Sequence, residues 1–187
     1  RIYGETVGIV GFGWIGRALA RKCKAFGMNV LISDPYVGDH LAIEYGVEFV
    51  SKDELLRRSD YVTLHVPHLD GTHHYIDTSA LEAMKPSAYL INTSRGPVVD
   101  EKALVSALQH YEIAGAGIDV FEEEPLSPDN PILKMENVIC TPHVAGSSKI
   151  GWEIIRRRAG EEAARILRGK RPNVVVNPEV LGRIWPL

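Results

Sequence analysis

Short apolar runs alternate with amphipathic segments along most of the chain. The run at residues 7–11 is bounded by glycines and is too short for a buried helix, so it predicts an inner strand. From Gly13 to Phe26 the apolar positions recur at helical spacing, and Gly27 follows where a helix-ending glycine is expected. Strand-like and helix-like segments then continue to alternate as far as residue 167.

The same pattern over the rest of the chain defines a fold class. The predicted strands are residues 7–11, 29–32, 47–50, 61–66, 88–92, 114–120 and 137–141. The predicted helices are residues 13–26, 41–45, 52–58, 78–84, 101–109 and 148–167. Strands that are apolar on both faces and alternate with amphipathic helices form a parallel sheet covered on both sides. The sequence therefore predicts an α/β fold of the Rossmann type, a doubly wound parallel sheet with helices on both faces.

Composition and charge narrow the function classes. With 187 residues, 45% of them apolar and 24% charged, the chain is long enough for one large globular domain with a full core. The formal net charge of −3 gives no basic field to hold a polyanion, so nucleic acid is not expected as a partner. No run reaches the ~20 apolar residues of a membrane span, so no membrane partner is expected. The two cysteines, Cys23 and Cys140, favour a reducing, cytoplasmic location.

A glycine-rich segment lies between the first predicted strand and the first predicted helix. Gly11 permits a tight turn, Gly13 allows the backbone to approach a pyrophosphate, and Gly16 lets helix and strand pack closely. Free N–H groups at the start of the helix would hold the anion. This context favours a dinucleotide site over the alternative, a glycine turn without a ligand. Trp14 and Ile15 are assigned to the same site, and the sequence does not show whether Trp14 covers the pyrophosphate or packs elsewhere.

Asp34 follows the second predicted strand and comes 18 residues after Gly16. An acid at this place accepts hydrogen bonds from both hydroxyls of an adenosine ribose, and its charge repels a 2′-phosphate. Pro35 and Tyr36 follow it in place of Arg or Lys, so NAD rather than NADP is the predicted cofactor. The alternative for Asp34 is a solvated turn acid.

Several functional-looking side chains stand at the predicted carboxyl ends of three separate strands. Arg95 follows the strand at 88–92, and His143 follows the strand at 137–141. Asp119 and then Glu124 mark the end of the strand between them. Ligands of an open parallel sheet bind outside the carboxyl ends of its strands. These side chains are therefore expected to share one cleft with the dinucleotide.

Four ordered motifs resemble those of the D-isomer-specific 2-hydroxyacid dehydrogenases, over nearly the whole chain to about Asn177. The motifs are Gly11-x-Gly13-x-x-Gly16 with Asp34, Asn92-Thr93-Ser94-Arg95-Gly96, Gly117-Ile118-Asp119-Val120-Phe121 with Glu124-Pro125, and Thr141-Pro142-His143-Val144-Ala145-Gly146. None suffices alone, but four in order make a chance match improbable. The resemblance implies an NAD-dependent enzyme that transfers a hydride between nicotinamide and a D-2-hydroxy acid or 2-oxo acid.

The resemblance also implies three catalytic roles. Arg95 would bind the substrate carboxylate and C2 oxygen through its planar, charged guanidinium, the alternative being a surface ion pair. His143 would be the general acid/base. Glu124 would hydrogen-bond the other ring nitrogen of His143, fixing its tautomer and favouring its protonated form. Because two more glutamates precede it in a loop with three prolines, the alternative for Glu124 is a merely solvated acid.

Further contacts to the cofactor follow from the same resemblance. Asp119 would contact the nicotinamide carboxamide, with a strand-end cap as the alternative. Thr93 is assigned to the cofactor site as part of its motif. Val66 and Pro67 would form an apolar wall against the adenine ring, although a simple turn proline is an equal alternative at Pro67.

Four histidines lie close together in the sequence, at His65, His68, His73 and His74. They straddle a strand end and a turn at Gly71, and they do not have the spacing of a recognised zinc site. No metal is therefore predicted.

The resemblance finally implies a domain organisation. Residues 1–170 would form the NAD-binding domain, and residues 171–187 would be a crossing segment toward a substrate domain that is largely absent from this chain. The isolated chain is expected to bind NAD but to be weakly active or inactive. The resemblance also implies that the protein forms a homodimer through the coenzyme domain. Two alternatives stay open, an NAD(H)-sensing binding module of the corepressor type and a structural Rossmann domain without a ligand. The motifs do not identify which hydroxy acid is the substrate.

Overall fold

Parallel strands and α-helices alternate along the part of the chain that the structure describes. The computed structural model describes residues 1–184, apart from the side chains of Asp39 and Ile184. The strands are β1 (Thr6–Val10), β2 (Asn29–Ser33), β3 (Glu48–Phe49), β4 (Tyr61–Leu64), β5 (Tyr89–Asn92), β6 (Gly115–Ile118) and β7 (Val138–Cys140). The helices are α1 (Trp14–Ala25), α2 (Asp39–Tyr45), α3 (Lys52–Arg58), α4 (Thr78–Glu82), α5 (Glu101–Gln109), α6 (Lys149–Leu167) and α7 (Leu181–Ile184). Short 3-10 helices, which the sequence did not predict, cover Asp70–Thr72, Gly96–Val98, Pro131–Lys134 and Pro178–Val180.

The strands form one parallel sheet in the order β3-β2-β1-β4-β5-β6-β7. The chain moves toward one edge from β1 to β3 and then adds β4 to β7 on the other side of β1. Because crossovers between parallel strands are right-handed, α1 and α2 lie on one face of the sheet and α4 and α5 on the other. This arrangement confirms the predicted doubly wound α/β fold, and its topological switch point lies between β1 and β4.

Each face of the sheet has its own apolar core. The core under α1 and α2 consists of Val7, Ile9, Phe12, Ala20, Cys23, Met28, Val30 and Ile32. The larger core under α3, α4 and α5 includes Leu31, Leu55, Leu64, Leu90, Leu104 and Ile118. Successive residues of β1 enter different cores, Ile9 the first and Val10 the second, as the two-residue period of a strand requires. The strands read as continuous apolar runs in the sequence because both faces are buried.

Side-chain caps fix where several of the helices begin, α3 and α5 among them. Ser51 accepts a hydrogen bond from the N–H of Glu54 at the start of α3, and Asp100 accepts one from the N–H of Ala103 at the start of α5. Both helices have the bounds that the sequence pattern predicts. Several strands are shorter than predicted, and the run at 114–120 pairs only over its central part because the ladders with β5 and β7 end there.

One row of paired residues crosses the sheet at its carboxyl edge. Six residues from six adjacent strands make up the row: Ser33, Val10, Leu64, Asn92, Ile118 and Cys140. Neighbouring parallel strands are about 4.8 Å apart, so the residues that follow this row emerge side by side. Every site residue predicted from the sequence comes one to six positions after a member of the row.

Two compact units divide the chain, residues 1–145 and residues 146–187. The sheet and its helices α1 to α5 belong to the first unit, and α6 and α7 belong to the second. The predicted boundary at residue 170 would instead include α6 in the first domain, and it stays a prediction. The predicted crossing segment 171–187 contains a 3-10 turn and α7, while residues 185–187 lie outside the described part. Within residues 1–184, no helix is both long and apolar enough to cross a membrane.

Candidate functional site

The loop between β1 and α1 is packed so closely that a side chain would not fit at Gly11 or at Gly16. Gly11 has φ +91°, and a Cβ there would lie 2.7 Å from the carbonyl oxygen of His65. A Cβ on Gly16 would lie 2.3 Å from the carbonyl oxygen of Gly11, so α1 packs directly on the loop. Gly13, the cap of α1, has open space around its missing Cβ, and the first turn of α1 contains no acidic residue. The positive end of the helix dipole is therefore open to an anion.

The side chains next to this loop are placed where a ligand could meet them. Trp14 and Ile15 are 90% and 68% exposed, so Trp14 does not pack into the core, and its contact with a pyrophosphate stays a prediction. Val66 is half-buried and lies against the loop, because its Cγ1 would be 2.8 Å from a Cβ on Gly11. Pro67, next in sequence, is exposed. Their contact with an adenine ring stays a prediction.

Asp34 is fixed beside the glycine loop by two backbone N–H groups. The N–H of Phe12 donates to Oδ2 at 2.7 Å, and the N–H of Tyr36 donates to Oδ1 at 2.8 Å. The carboxylate is therefore not a freely solvated turn acid, because it links the end of β2 to the loop after β1. Each carboxylate oxygen has further lone pairs, so the group can still accept hydrogen bonds from a diol.

The loop after β5 is organised by a buried asparagine. Asn92 accepts hydrogen bonds from the N–H and the hydroxyl of Ser94, at 3.0 and 2.9 Å, and its amide donates to the carbonyl oxygen of Arg95 at 3.0 Å. The Arg95 side chain is exposed, and within residues 1–184 it donates only to the neighbouring Ser94 carbonyl oxygen, at 2.6 Å. Thr93 is exposed in the same loop. The turn thus presents a guanidinium and a hydroxyl at the sheet edge.

Asp119 is 3% exposed and holds the loop that carries His143. Its carboxylate accepts hydrogen bonds from the Thr141 hydroxyl at 2.5 Å and from the N–H groups of Val144 and Ala145, both at 2.9 Å. Its backbone carbonyl accepts a bond from the N–H of His143 at 2.8 Å. Burial opposes ionisation of Asp119, but these hydrogen bonds outweigh it and lower its pKa. The predicted contact with a nicotinamide carboxamide remains a prediction.

Glu124 and His143 form a pair, as the sequence predicts for an acid/base centre. Nδ1 of His143 and Oε2 of Glu124 are 2.9 Å apart, and the other oxygen of Glu124 accepts a bond from the N–H of Phe121 at 3.1 Å. The hydrogen bond with His143, followed by the one from Phe121, lowers the pKa of Glu124. Glu124 is therefore not merely solvated. Because its pKa is lowered on folding, the pair stabilises the fold above the ordinary Glu pKa, and this contribution disappears as the pH falls through the lowered value.

The backbone of His143 is held in the left-handed region, with φ +55°. This conformation is unfavourable for a residue other than glycine and persists only where the surroundings enforce it. The hydrogen bonds from its loop to Asp119 supply that enforcement. The strain orients the imidazole toward Glu124 and leaves Nε2 for a ligand.

A cavity of about 470 Å³ lies beside the pair. Its lining residues are Phe121, Glu124, Pro125, Leu126, Leu133, Cys140, Thr141, Pro142 and His143. The structure thus brings Glu124, His143 and Asp119 together through direct contacts. No direct hydrogen bond within residues 1–184 joins the Arg95 side chain to Glu124 or His143, so Arg95 shares their sheet edge but not their network.

Sequence reasoning missed the residues that organise these loops. Asn92 was part of a quoted motif without a role, and its spacing to Ser94 is the pattern of an Asx turn, which is a readable signal. Gly96 packs so closely on the loop of Glu124 that a Cβ would lie 1.8 Å from the carbonyl oxygen of Phe121. No sequence signal shows that contact, because it joins two loops that are distant in the chain.

The four histidines that were considered for a metal separate into different environments. Burial lowers the pKa of His65, which lies 3.0 Å from the Thr63 hydroxyl. His68 and His73 face each other at 3.2 Å. His74 meets two acids, Asp100 and Glu122, and ligand atoms of these three residues lie within 4.8 Å of one another. The group of His74, Asp100 and Glu122 was not predicted from the sequence, because its members come from three separate loops.

The fold and the site define a class of protein. A doubly wound sheet with a glycine loop, an acid at the end of β2 and a histidine–carboxylate pair at the same edge is the arrangement of a dinucleotide-dependent oxidoreductase domain. Residues 1–145 match the family described as "D-isomer specific 2-hydroxyacid dehydrogenase, NAD binding domain". The chain belongs to this family of NAD-binding domains.

Known relatives agree with this assignment. The chain is 47% identical to a glyoxylate reductase of Korarchaeum cryptofilum over 180 residues, which cover 96% of the chain and 54% of that protein. It is 41% identical to a D-3-phosphoglycerate dehydrogenase of Methanocaldococcus jannaschii, over 99% of the chain and 36% of that protein. The NAD complex of a D-isomer specific 2-hydroxyacid dehydrogenase from Lactobacillus delbrueckii ssp. bulgaricus superposes with a TM-score of 0.86 at 34% identity, covering 94% of the chain and 57% of that structure.

The chain spans about half of the glyoxylate reductase and about a third of the phosphoglycerate dehydrogenase. All three proteins are named as enzymes, so they do not support the corepressor-type alternative.

Proposed function

We propose that the protein is an NAD-dependent D-2-hydroxyacid dehydrogenase and that this chain supplies its coenzyme site and its acid/base pair. The observation that carries the proposal is the 2.9 Å contact between His143 and Glu124 at the same sheet edge as the glycine loop. Relatives of the chain are named for the same chemistry on glyoxylate and on 3-phosphoglycerate. A small 2-hydroxy or 2-oxo acid is therefore the proposed substrate.

The residues around the glycine loop fit a dinucleotide. The open N-terminus of α1 at Gly13 accepts a pyrophosphate, and Asp34 accepts hydrogen bonds from the ribose hydroxyls. Trp14 and Ile15, which are exposed beside the loop, would lie next to the phosphates, and Val66, which lies against Gly11, would contact the adenine ring. Thr93 and Asp119 are the proposed contacts near the nicotinamide. When bound, the nicotinamide supplies the acceptor or donor of a hydride.

His143 moves the proton that accompanies hydride transfer. In the direction of reduction, Nε2 gives a proton to the C2 oxygen of the oxo acid, and in oxidation it takes that proton from the hydroxyl. Glu124 holds the proton on Nδ1 and stabilises the positive charge of the doubly protonated ring. Asp119 keeps the ring in place by binding the Thr141 hydroxyl before it and the backbone N–H groups of Val144 and Ala145 after it.

Arg95 binds the substrate as an anion. Its guanidinium is exposed and always charged, and it can grip a carboxylate with two parallel N–H groups. Asn92 and the neighbouring turn hold its backbone. With the carboxylate bound to Arg95, the guanidinium and the imidazole of His143 would both stabilise the negative charge that develops on the C2 oxygen.

The assembly and location of the protein are also proposed. A homodimer formed through the coenzyme domain is the proposed assembly, and the cytoplasm is the proposed location. Both cysteines of the chain are unpaired, Cys23 buried and Cys140 half-buried, which suits a reducing compartment. Analytical ultracentrifugation, which measures molecular mass in solution, tests whether the protein is a homodimer.

Replacing Asp34 tests the choice of cofactor. The variant Asp34→Asn keeps a hydrogen-bond acceptor for the N–H of Phe12 but removes the charge that repels a 2′-phosphate. We expect NAD to bind about 10-fold more weakly, because hydrogen bonds to a charged group contribute roughly 1.5–3 kcal/mol. The ratio of the NADP dissociation constant to the NAD dissociation constant should fall by at least the same factor. Isothermal titration calorimetry measures both constants. The control Asp129→Asn alters an exposed loop acid and should leave the ratio unchanged.

Turnover by this chain alone tests the proposed domain organisation. If residues outside the chain hold the substrate, the chain should bind NADH but reduce glyoxylate and hydroxypyruvate at least about 100-fold more slowly than the 1–10³ s⁻¹ common for enzymes. Loss of NADH absorbance measures the rate, and the natural full-length protein is the reference. A chain that alone reaches the common range would show that 1–187 already contains the whole active site.

A further inference from the structure

The loop that carries Glu124 is bound at several points to the start of α5. Glu101, the first residue of α5, donates its N–H to Oε1 of Glu122 at 3.2 Å, and the N–H of Glu122 donates back to Oε2 of Glu101 at 3.1 Å. Further along the loop, the amide of Asn130 donates to Oε1 of Glu101 at 2.6 Å. The position of Glu124 therefore depends on a residue two places before it.

Glu122 has a second partner, which comes from a different part of the fold. Nε2 of His74 lies 2.7 Å from Oε1 of Glu122, and Nδ1 of the same ring lies 3.8 Å from Oδ2 of Asp100. His74 belongs to the segment between β4 and α4, so this contact joins three separate loops. The imidazole of His74 therefore lies between the carboxylates of Glu122 and Asp100. Glu122 belongs to the loop that also carries Glu124.

The backbone of His74 is fixed in a conformation that its residue type does not favour. Its φ is +47°, and its N–H donates to the carbonyl oxygen of Pro97 at 2.8 Å. Pro97 comes two residues after Arg95, in the turn whose Gly96 packs against the backbone of Phe121. His74 therefore touches both the segment that follows Arg95 and the loop that presents Glu124. Strain of this kind persists where surrounding contacts enforce it.

We propose that His74 is a positioning residue, which holds Glu124 at the right distance from His143 by binding Glu122 while its backbone is anchored on the Arg95 turn. The inference rests on the proposed function, since it assigns His74 to the same reaction. His74 acts only through Glu122 and touches neither Glu124 nor the proposed substrate site. Its contribution is to hold the loop that carries the Glu124 carboxylate in place against the turn that carries Arg95.

The variant His74→Asn tests the proposal, because asparagine tolerates the left-handed conformation but is too short to replace the imidazole at Glu122. The first measurement is the pKa of the Glu124 carboxyl group in this 187-residue chain. It is obtained by monitoring that group with ¹³C NMR during a pH titration. In the wild type, the bonds from His143 and Phe121 lower this pKa against repulsion from Asp119. We expect it to rise toward the ordinary Glu value in His74→Asn, because the loop is no longer held against His143.

The matched control is His73→Asn, one residue earlier. His73 stacks on His74 with ring centroids 4.0 Å apart, but its own hydrogen-bond contact is with His68. This variant should leave the pKa of Glu124 unchanged. Two variants of Glu122 separate a positioning role from loss of folding. Glu122→Ala should shift the pKa of Glu124 as His74→Asn does, and Glu122→Gln, which keeps the acceptor oxygen, should shift it less. Equal pKa values in the wild type, His74→Asn and Glu122→Ala would overturn the proposal.

The second measurement is hydride transfer by the natural full-length protein. We expect His74→Asn to lower kcat about 10-fold and to leave the KM for NADH unchanged, because a slightly misplaced catalytic group slows the chemical step without weakening coenzyme binding. The kcat of His73→Asn should stay within about twofold of the wild-type value. If the wild type reduces no 2-oxo acid, the proposed function fails, and the NMR titration still decides the role of His74. An unchanged kcat in His74→Asn beside an active wild type would contradict the proposal alone.

Discussion

The variant His143→Asn should lower kcat for reduction of a 2-oxo acid about 10³-fold in the natural full-length protein. A positioned general acid contributes roughly 10²–10⁴-fold to a proton transfer, and asparagine has no group that gives up a proton near neutral pH. Asparagine also suits the φ of +55° found at this position, so the loop should keep its shape. Steady-state kinetics with NADH measures the loss. Because His143 is not proposed to bind the coenzyme, the dissociation constant for NAD should stay within about twofold.

Two comparisons show whether this loss belongs to the acid/base role. His110→Asn changes an exposed histidine that follows α5 and whose ring contacts Ser106, and it should leave kcat unchanged. Glu124→Gln removes the charge opposite Nδ1 but keeps an acceptor oxygen, so kcat should fall by a smaller factor, about 10 to 100. A kcat for His143→Asn within tenfold of the wild type would mean that another group supplies the proton.

The fold could be predicted because its signals are local. The apolar run at 7–11, the glycine loop and the amphipathic helix after it are all contiguous in the sequence, and together they indicate a strand, a turn and a helix. The capping residues Ser51 and Asp100 likewise act on N–H groups three positions away. The bounds of α3 and α5 match those that the sequence pattern predicted, and the caps fix where both helices begin. The end of β6 was not, because strand ends depend on pairing with distant neighbours.

The site could be predicted in part. His143 and Glu124 were expected to meet, and their contact is confirmed at 2.9 Å. The sequence did not show that Asp119 holds the loop of His143, since three donors from residues 141–145 converge on a carboxylate more than twenty positions earlier. It also gave no sign of the link between His74 and Glu122, which are 48 positions apart. Contacts between loops arise from the sheet order, and a pattern along the chain does not contain that order.

The sheet order explains why a coenzyme-binding domain contains the proposed catalytic groups. The strands β5, β6 and β7 are neighbours, so the loops that follow them lie side by side along one edge. That edge continues through β4 and β1 to the glycine loop and Asp34. A nicotinamide held by the glycine loop would lie along the same edge as His143. The proposed catalytic residues are therefore placed by the same fold that forms the glycine loop.

The place where Gly96 packs on the loop of Glu124 should tolerate an added methyl group poorly, and Gly96→Ala tests this. The new Cβ would lie 1.8 Å from the carbonyl oxygen and 2.0 Å from the carbonyl carbon of Phe121, and 2.6 Å from the nitrogen of Glu122. All three atoms belong to backbone, so a side chain cannot rotate away and the two loops must separate. Overpacking of this kind costs about 3 kcal/mol in the free energy of unfolding. For a chain of this length we expect Tm to fall by about 6–12 °C.

The same substitution should also disturb the acid/base pair, because the loop that must move carries Glu124. The pKa of Glu124 should therefore rise toward its ordinary value in Gly96→Ala, as measured by the same ¹³C NMR titration. Gly71→Ala is the matched control, since a Cβ at Gly71 has no heavy atom within 4 Å, and its Tm should stay within about 2 °C of the wild type. If Gly96→Ala kept both the wild-type Tm and the lowered pKa of Glu124, the two loops would not be in the close contact that joins Arg95 to the pair.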